Sequence, residues 1–466
     1  MRKLFGMEKV LLLTGEDIEC LELISLIAEG EFDFQTYSTD LPDKALAAID
    51  KLGDNLVGII NTYKTTDILN GRIFTKNQSS RKAPYIDILA VKSIDPDKYQ
   101  EFYADNAYNF LVPKEKIHKE IYQILSKIEK RYDLDTDHAK PVTKDGKRLY
   151  RIKIDRYLTQ LVTVDDIYIK IGAGKYIKLF HAGDDIDKDK IMEYKAKGEK
   201  FLYQAEEDFL RTVNSTMNSI VKKFKDKSLS KAQTVGLQLA TIKEVQDAVR
   251  NMGISDSVIE TTDELVNSVE KMLKDSKQLG GMIKKLLGLK SRYFTRTSIN
   301  NYLLGGIAEK MGWESHQTLK KLIYASVFCD FSFEMSEAHL SEALSFEDPI
   351  YMKATKVQKL RVKTHPKLSA AILEKGDKLL TDEAALIMHH HEKPDGTGFP
   401  AGLDYKTLPV LSCAFILAYD YTTKLIQSCD SPDELDPLAV LRDLGEDYSK
   451  ANFNKPYQCL KEIVNK

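Results

Sequence analysis

The sequence predicts a multidomain chain in which a doubly wound α/β domain and a small α/β hairpin module precede a long all-helical region. Three observations carry this reading. Residues 1–132 alternate short apolar runs with helix-like segments, the pattern of a parallel sheet with helical crossovers. Two strand-like runs within 166–180 are joined by a glycine-containing turn, as in a hairpin. From Glu206 onward apolar residues recur at helical spacing. At about 150 residues per domain, the 466 residues suit about three bodies.

In the first domain, 1–132, Lys9–Leu13, Leu56–Ile60, Tyr85–Val91 and Tyr108–Val112 read as buried strands, with Phe32–Tyr37 at an edge. Pro42–Leu52 and Asp97–Ala104 read as helices between them. Ile117, Ile121, Ile124, Leu125 and Ile128 form a helical stripe that closes the domain. The polar stretch Asp133–Lys147, with Pro141 and Gly146, reads as a linker. A small module over 148–205 follows. Its strands are Leu149–Ile154, Asp166–Lys170 and Lys175–Phe180, with the turn Ile171–Gly174 and a short helix over Asp187–Lys197. Residues 206–290 read as a helical linker, with apolar positions at Phe209, Val213, Met217 and Ile220, and 291–466 as a final all-helical domain.

Composition narrows the function. Sixty-eight Lys and Arg against 70 Asp and Glu leave a net charge of −2, which gives no electrostatic basis for nucleic-acid binding. The five cysteines (Cys20, Cys329, Cys413, Cys429 and Cys459) show no CxxC spacing and suit a reducing cytoplasm. The longest apolar run, Val410–Tyr419, stops at Asp420, far short of a membrane span.

In length and order, residues 1–132 resemble a response-regulator receiver. The resemblance implies an acidic pair after the first strand, a phosphoacceptor aspartate after the third and a lysine after the fifth. Thr14-Gly15-Glu16, Asn61 and Val112 stand at those positions. Asn61 forms no acyl phosphate, and one glutamate is a poor magnesium site. The expectation is a receiver-shaped docking or dimerisation module that takes no phosphate.

Five of the nine histidines lie between His339 and His391. They converge on Met388–Pro400, where a helix ends in neighbouring histidines and Pro394, Gly396, Gly398 and Pro400 stiffen the loop that follows. His390-His391-Glu392, Asp395-Gly396 and Gly398-Phe399-Pro400 resemble the HHExxDGxGYP signature of HD-GYP domains, with Phe399 in place of tyrosine. The resemblance spans 291–466. It implies an all-helical, metal-dependent phosphodiesterase fold that acts on the bacterial messenger cyclic di-GMP. It also implies His365 and Asp420 as further metal ligands. The HD motif itself is altered: in Ala325–Phe333, Asp330 is kept, but Cys329 replaces the histidine, Ser332 the glycine and Phe333 the lysine. Thr297 stands where an upstream ligand histidine is expected.

Phosphodiester hydrolysis by such sites uses a metal-activated hydroxide and two ions that share the charge on the phosphate. Asp330, His365, His390 and His391 suffice for one transition metal, Fe, Mn or Zn, with Asp420 close by. The second site has lost two imidazoles and the phosphate site its lysine. The expected function is a degenerate HD-GYP protein, a binding or regulatory module in cyclic-di-GMP signalling with little or no hydrolysis. Its loop of Glu392, Asp395, Gly396, Gly398, Phe399 and Pro400 would face cyclic di-GMP or signalling proteins such as diguanylate cyclases, and the chain would form a homodimer. The alternative is an active phosphodiesterase with an altered metal site. Simpler readings accompany these: Asp395 and the loop glycines shape the loop, Cys329 is a small buried hydrophobe, His316 is a surface histidine near a loop, His389 is a helix-surface residue, and Trp313 is core.

Overall fold

The structure, a computed structural model, describes residues 9–32, 34–63, 71–80, 82–89, 94, 99–106, 108–135, 148–159, 161–172, 175–275, 279–288, 292–313, 315–333, 335–373, 381–429 and 436–465. The chain divides into two compact units, Met1–Thr212 and Val213–Lys466.

The first unit opens with a five-stranded sheet: β1 (Val10–Thr14), β2 (Gln35–Thr39), β3 (Leu56–Asn61), β4 (Tyr85–Leu89) and β5 (Phe110–Pro113), ordered β2-β1-β3-β4-β5. All its pairings are parallel. Parallel neighbours need crossovers, and helices supply them: α1 (Ile18–Glu31), α2 (Pro42–Leu52), α3 (Arg72–Ser80) and α4 (Gln100–Asp105). Asp17 caps α1 by accepting from the Cys20 amide, and Pro42 opens α2, where its missing N–H costs nothing. Central β1 and β3 are buried along their whole length, as continuous apolar runs require. The closing helix α5 (Ile117–Asp135) buries the stripe Ile117, Ile121, Ile124, Leu125 and Ile128 that periodicity predicts. Most of the expected linker, residues 136–147, lies outside the described residues.

The small module is an antiparallel sheet of β6 (Leu149–Lys153), β7 (Ile167–Gly172), β8 (Lys175–Phe180) and β9 (Phe201–Ala205), ordered β6-β9-β7-β8, with α6 (Lys188–Ala196) before the last strand. The hairpin pairs β7 with β8 as expected, its turn glycine Gly174 falling outside the described residues. β9 was not anticipated; it fills the place between β6 and β7.

From α7 (Glu206–Phe224) the chain is helical: α8 (Lys231–Met252), α9 (Asp256–Asp275), α10 (Leu279–Leu287), α11 (Arg292–Lys310), α12 (His316–Phe328), α13 (Pro349–Lys353), α14 (Lys356–Leu373), α15 (Thr381–His389), α16 (Val410–Gln427), α17 (Pro437–Asp443) and α18 (Ala451–Val464). The second unit is built around α16, whose residues Ser412–Thr423 are all buried, with α11, α15, α17 and α18 packed on it. Helices α8 and α9, read from sequence as linker, pack on α11 and α12 and hydrogen-bond to them. Tyr302 Oη donates to Gln238, and Tyr324 Oη reaches Asp263 Oδ1 at 2.8 Å. Gln246 and Arg250 of α8 donate to the carbonyls of Val327 and Phe331, on either side of Asp330. Trp313 is half-buried at the turn after α11 rather than in the core, because the chain leaves the helix at Gly312, whose φ is 72°.

Candidate metal centre

Four side chains from three places in the sequence meet inside the helical unit. Asp330 follows the end of α12, His365 lies within α14, and His390 and His391 follow the last residue of α15. One ligand atom from each lies within 4.8 Å of the others, and all four residues are buried.

Local backbone chemistry sets the histidine tautomers. Pro366 has no N–H, so the Val362 carbonyl four residues earlier loses its helical partner. That carbonyl lies 2.8 Å from His365 Nδ1. Ile387 is in the last turn of α15, where carbonyls lack helical donors, and its oxygen lies 2.6 Å from His390 Nδ1. A carbonyl only accepts, so each Nδ1 carries a proton, and the neutral ring of His365 presents the lone pair of its Nε2. The two Nε2 atoms are 3.0 Å apart. Two ring nitrogens that close need a proton or a metal ion between them. His391, fully buried, has no hydrogen-bond partner on either ring nitrogen. Burial pushes the His365 imidazole down to about 4 and His391 well below the usual range, so both are neutral near pH 7.

Asp330 is the anion of the group. Burial alone would raise its carboxyl, but the Arg296 guanidinium beside it holds it well below the usual carboxylate range. Arg296 Nη2 donates to Asp330 Oδ2 at 2.6 Å. Tyr419 Oη lies 3.0 Å from both carboxylate oxygens and 2.9 Å from the Ser341 carbonyl, so one proton is shared among three acceptors. Asp330 Oδ1 faces His365 Nε2 at 3.4 Å and His390 Nε2 at 3.6 Å.

The donor set fits a transition metal: neutral imidazoles and one carboxylate are the ligands that Zn, Fe and Mn sites share. Asp330, His365, His390 and His391 would hold the ion. Bound there, it would act as a Lewis acid.

Asp420, expected as a ligand, stands apart from this cluster. Its Oδ2 accepts from Lys393 Nζ at 2.6 Å and from Tyr448 Oη, so the carboxylate is neutralised by an ammonium from the loop. Glu392 is fully buried and is used up inside the loop: its oxygens accept from the amides of Ala401 and Leu403 at 2.7 and 2.8 Å. Asp395 accepts from Thr397, and its backbone bridges to Asp404. A Cβ at Gly398 would lie 2.4 Å from the Glu392 Cα, so that glycine allows a close backbone crossing, and Gly396 has φ 78°. Phe399 is buried and stacks on the His391 ring at 4.5 Å. Among the signature residues, this leaves Asp395 as the one exposed position and Gly396, Gly398 and Pro400 as partly exposed.

Three of the altered positions, Cys329, Ser332 and Phe333, touch the cluster. Cys329 Sγ donates to Asp330 Oδ2 at 3.5 Å, and burial pushes its thiol well above the usual range, so it is a proton donor and not a thiolate ligand. Phe333 is buried with its ring 4.6 Å from that of His365. Thr297 is buried on α11, its hydroxyl 3.5 Å from the Tyr293 carbonyl. Arg296, the residue before it, is the group that sequence reasoning missed. The available signal was a lone arginine in a stretch of α11 otherwise without charge, Tyr293–Leu304. His389 is half-buried against Ser412, and exposed His316 pairs with Glu270 at 2.8 Å.

Residues 350–429 match a family model described as HD domain, so the helical region carries a domain of the HD superfamily. The match takes in His365, His390, His391 and Asp420 and begins after Thr297, Cys329, Asp330 and Phe333. No curated protein matches the chain. Among solved structures, Bd1817, a HDG"Y"P protein from Bdellovibrio bacteriovorus, is similar at 16% identity and a TM-score of 0.39, over 68% of this chain and 100% of that one. Among the described residues no helix is long and apolar enough to cross a membrane.

Proposed function

We propose that the chain is a degenerate HD-GYP protein, a metal-holding binding or regulatory module in cyclic-di-GMP signalling with little or no hydrolysis. Support for the metal rests on the four buried ligand atoms of Asp330, His365, His390 and His391, all within 4.8 Å of one another. The HHExxDGxGFP loop and the HD-domain match support the family reading. Support for weak turnover comes from Cys329, which keeps its proton, and from Phe333, which puts a ring where a phosphate-binding lysine would stand. Each lost electrostatic contact of this kind costs a factor of about 10²–10³, so losing two costs roughly 10⁴ or more. The exposed rim of the loop, Asp395 with Thr397, is the surface offered to a signalling partner. The first domain is read as a receiver-like module without phosphotransfer.

The test is metal content of the purified full chain, measured together with cyclic-di-GMP turnover. One tightly held transition metal per chain and turnover near background are expected. The variant carrying Thr297→His, Cys329→His and Phe333→Lys should then exceed the parent. A parent that hydrolyses the dinucleotide as fast as this variant is an active phosphodiesterase, and the regulatory reading is wrong.

A further inference from the structure

Asp330 divides its two oxygens between different tasks. Oδ2 accepts from Arg296 Nη2 at 2.6 Å, from Cys329 Sγ at 3.5 Å and from the Tyr419 hydroxyl at 3.0 Å. Oδ1, which shares the Tyr419 proton at 3.0 Å, is the oxygen that faces His365 and His390 and, among the described residues, has no cation against it. A carboxylate that bridges two metal ions gives one oxygen to each. Here one oxygen already has a cation.

That cation is fixed in place. Arg296 Nη1 donates to the Ser341 carbonyl at 2.8 Å and Nη2 to the Ser341 hydroxyl at 2.7 Å. The guanidinium lies 5.0 Å from the centre of the Tyr419 ring and 5.7 Å from that of Tyr293, and the side chain is 3% exposed. Among the described residues its one carboxylate partner is Asp330. Ser341 supplies only neutral acceptors, so the positive charge is directed at Asp330 and nowhere else. A planar, permanently charged fork suits this position, since it satisfies several acceptors at once and does not lose its proton when buried.

We propose that Arg296 is a built-in substitute for a second metal ion: it closes one side of Asp330, restricts the cluster to a single divalent ion and weakens the hold on that ion. An imidazole must be neutral to ligate a metal, so in the loaded site the charges of Asp330 and Arg296 cancel and the divalent ion meets protein groups of zero net charge. Without the guanidinium the same site is an anion. A unit charge a few ångströms from a buried ion alters its affinity about 10²-fold at an effective dielectric constant of about 20. This inference rests on the reading of the four-residue cluster as a metal centre, and its test separates the two.

The probe is Mn²⁺ alone, titrated into the chelator-stripped full chain and followed by electron paramagnetic resonance and calorimetry. The parent is expected to take one ion with no spin coupling. Arg296→Gln should bind Mn²⁺ about 10²-fold more tightly. Arg296→Lys, which keeps the charge, should stay within a few-fold of the parent and keeps the test decisive if the glutamine variant does not fold, because a lysine variant that tightens as much as 10²-fold refutes the charge argument. Two ions per parent chain, or a coupled pair, overturn the proposal. One ion in the parent with unchanged or weaker binding in Arg296→Gln overturns the role of Arg296 and leaves the metal centre standing. No binding in any of the three overturns both.

Discussion

Asp87, on β4 of the first sheet, and Asp330, in the helical unit, are both withdrawn from solvent, yet their carboxyls shift in opposite directions. Asp87 Oδ1 accepts from the Asn61 amide at 2.7 Å, and Oδ2 has no partner. Burial pushes its carboxyl up to about 7, and the neutral amide opposes this only in part. Asp330 meets the same desolvation, but the Arg296 guanidinium faces it, and it stays ionised. Burial sets the penalty for a charge, and a neighbouring cation decides whether the charge survives it. A carboxylate kept ionised inside a protein is therefore a more informative sign of a site than burial alone. Asp330 is such a carboxylate, and Asp87 is not.

The most direct way to break the contrast is to remove the cation. Arg296→Leu leaves Asp330 buried beside neutral groups, and breaking such a pair typically costs about 3–5 kcal/mol. The only tryptophan, Trp313, lies in the helical unit and reports its unfolding. In the presence of a chelator, denaturant unfolding followed by tryptophan fluorescence should show this loss. The double variant Arg296→Leu/Asp330→Asn should recover part of it, since no unpaired charge remains. A single variant as stable as the parent would mean that Arg296 does not compensate Asp330.

The converse experiment makes Asp87 permanently neutral. Its unfolded carboxyl titrates near 3.9 and its folded one near 7. Between about pH 4 and 7 the folded state therefore keeps a proton that the unfolded chain has released. Stability of the first unit falls as pH rises through that window and levels off above it. The total loss is up to about 4 kcal/mol, three pK units at 1.36 each. Asp87→Asn should be close to neutral at pH 4 and stabilising at pH 8. Hydrogen exchange of β3 and β4 peptides at the two pH values measures this, and equal protection at both would refute it.

A smaller change separates charge from hydrogen bonding at Asp330. Tyr419→Phe removes a shared neutral donor but keeps Arg296 and the ring that Arg296 covers. A hydrogen bond to a charged group contributes about 1.5–3 kcal/mol, and this proton is divided among three acceptors, so a loss of about 1–2 kcal/mol is expected. A loss as large as that of Arg296→Leu would put the hydroxyl, not the guanidinium, in charge of Asp330.

These pairs also mark what could be read without the fold. The runs at Leu11–Leu13 and Leu56–Ile60 and the stripe of α5 were legible because periodicity is local. His365, His390, His391 and Asp330 were legible because the loop spacing and the kept aspartate are local patterns too. Arg296 was not, because its ion pair joins residues 34 apart across two helices and no spacing rule links them. Asp420 was assigned to the metal for the same reason in reverse: Lys393, 27 residues away, takes its oxygen only once the loop has folded over α16. Glu392 and Gly398 illustrate the limit of a motif, which names the residues but not whether they serve a ligand or the loop's own backbone.

The smallest expected effect is none at all, and it concerns the first sheet again. If residues 1–132 are a receiver-like module, its acceptor position is Asn61, which has no carboxylate to offer. The nearest one, Asp87, is fully buried, holds its proton up to about pH 7 and is already bonded to the Asn61 amide. The cation after the fifth strand is Lys114, and its ammonium is 2.6 Å from Asp17 Oδ2. A phosphoryl group arriving at this edge meets no carboxylate nucleophile at Asn61, and of the acidic residues Glu16 and Asp17 after β1, Asp17 is already held by Lys114 and the Cys20 amide. Incubation of the full chain with acetyl phosphate and Mg²⁺ should leave its intact mass unchanged. Asn61→Asp should also remain unmodified, because the new carboxyl lies against Asp87 and two such groups at hydrogen-bond distance share one proton rather than ionise together. An acid-labile gain of one phosphoryl group in the parent would show that another side chain accepts it, and would return the domain to the phosphorelay class.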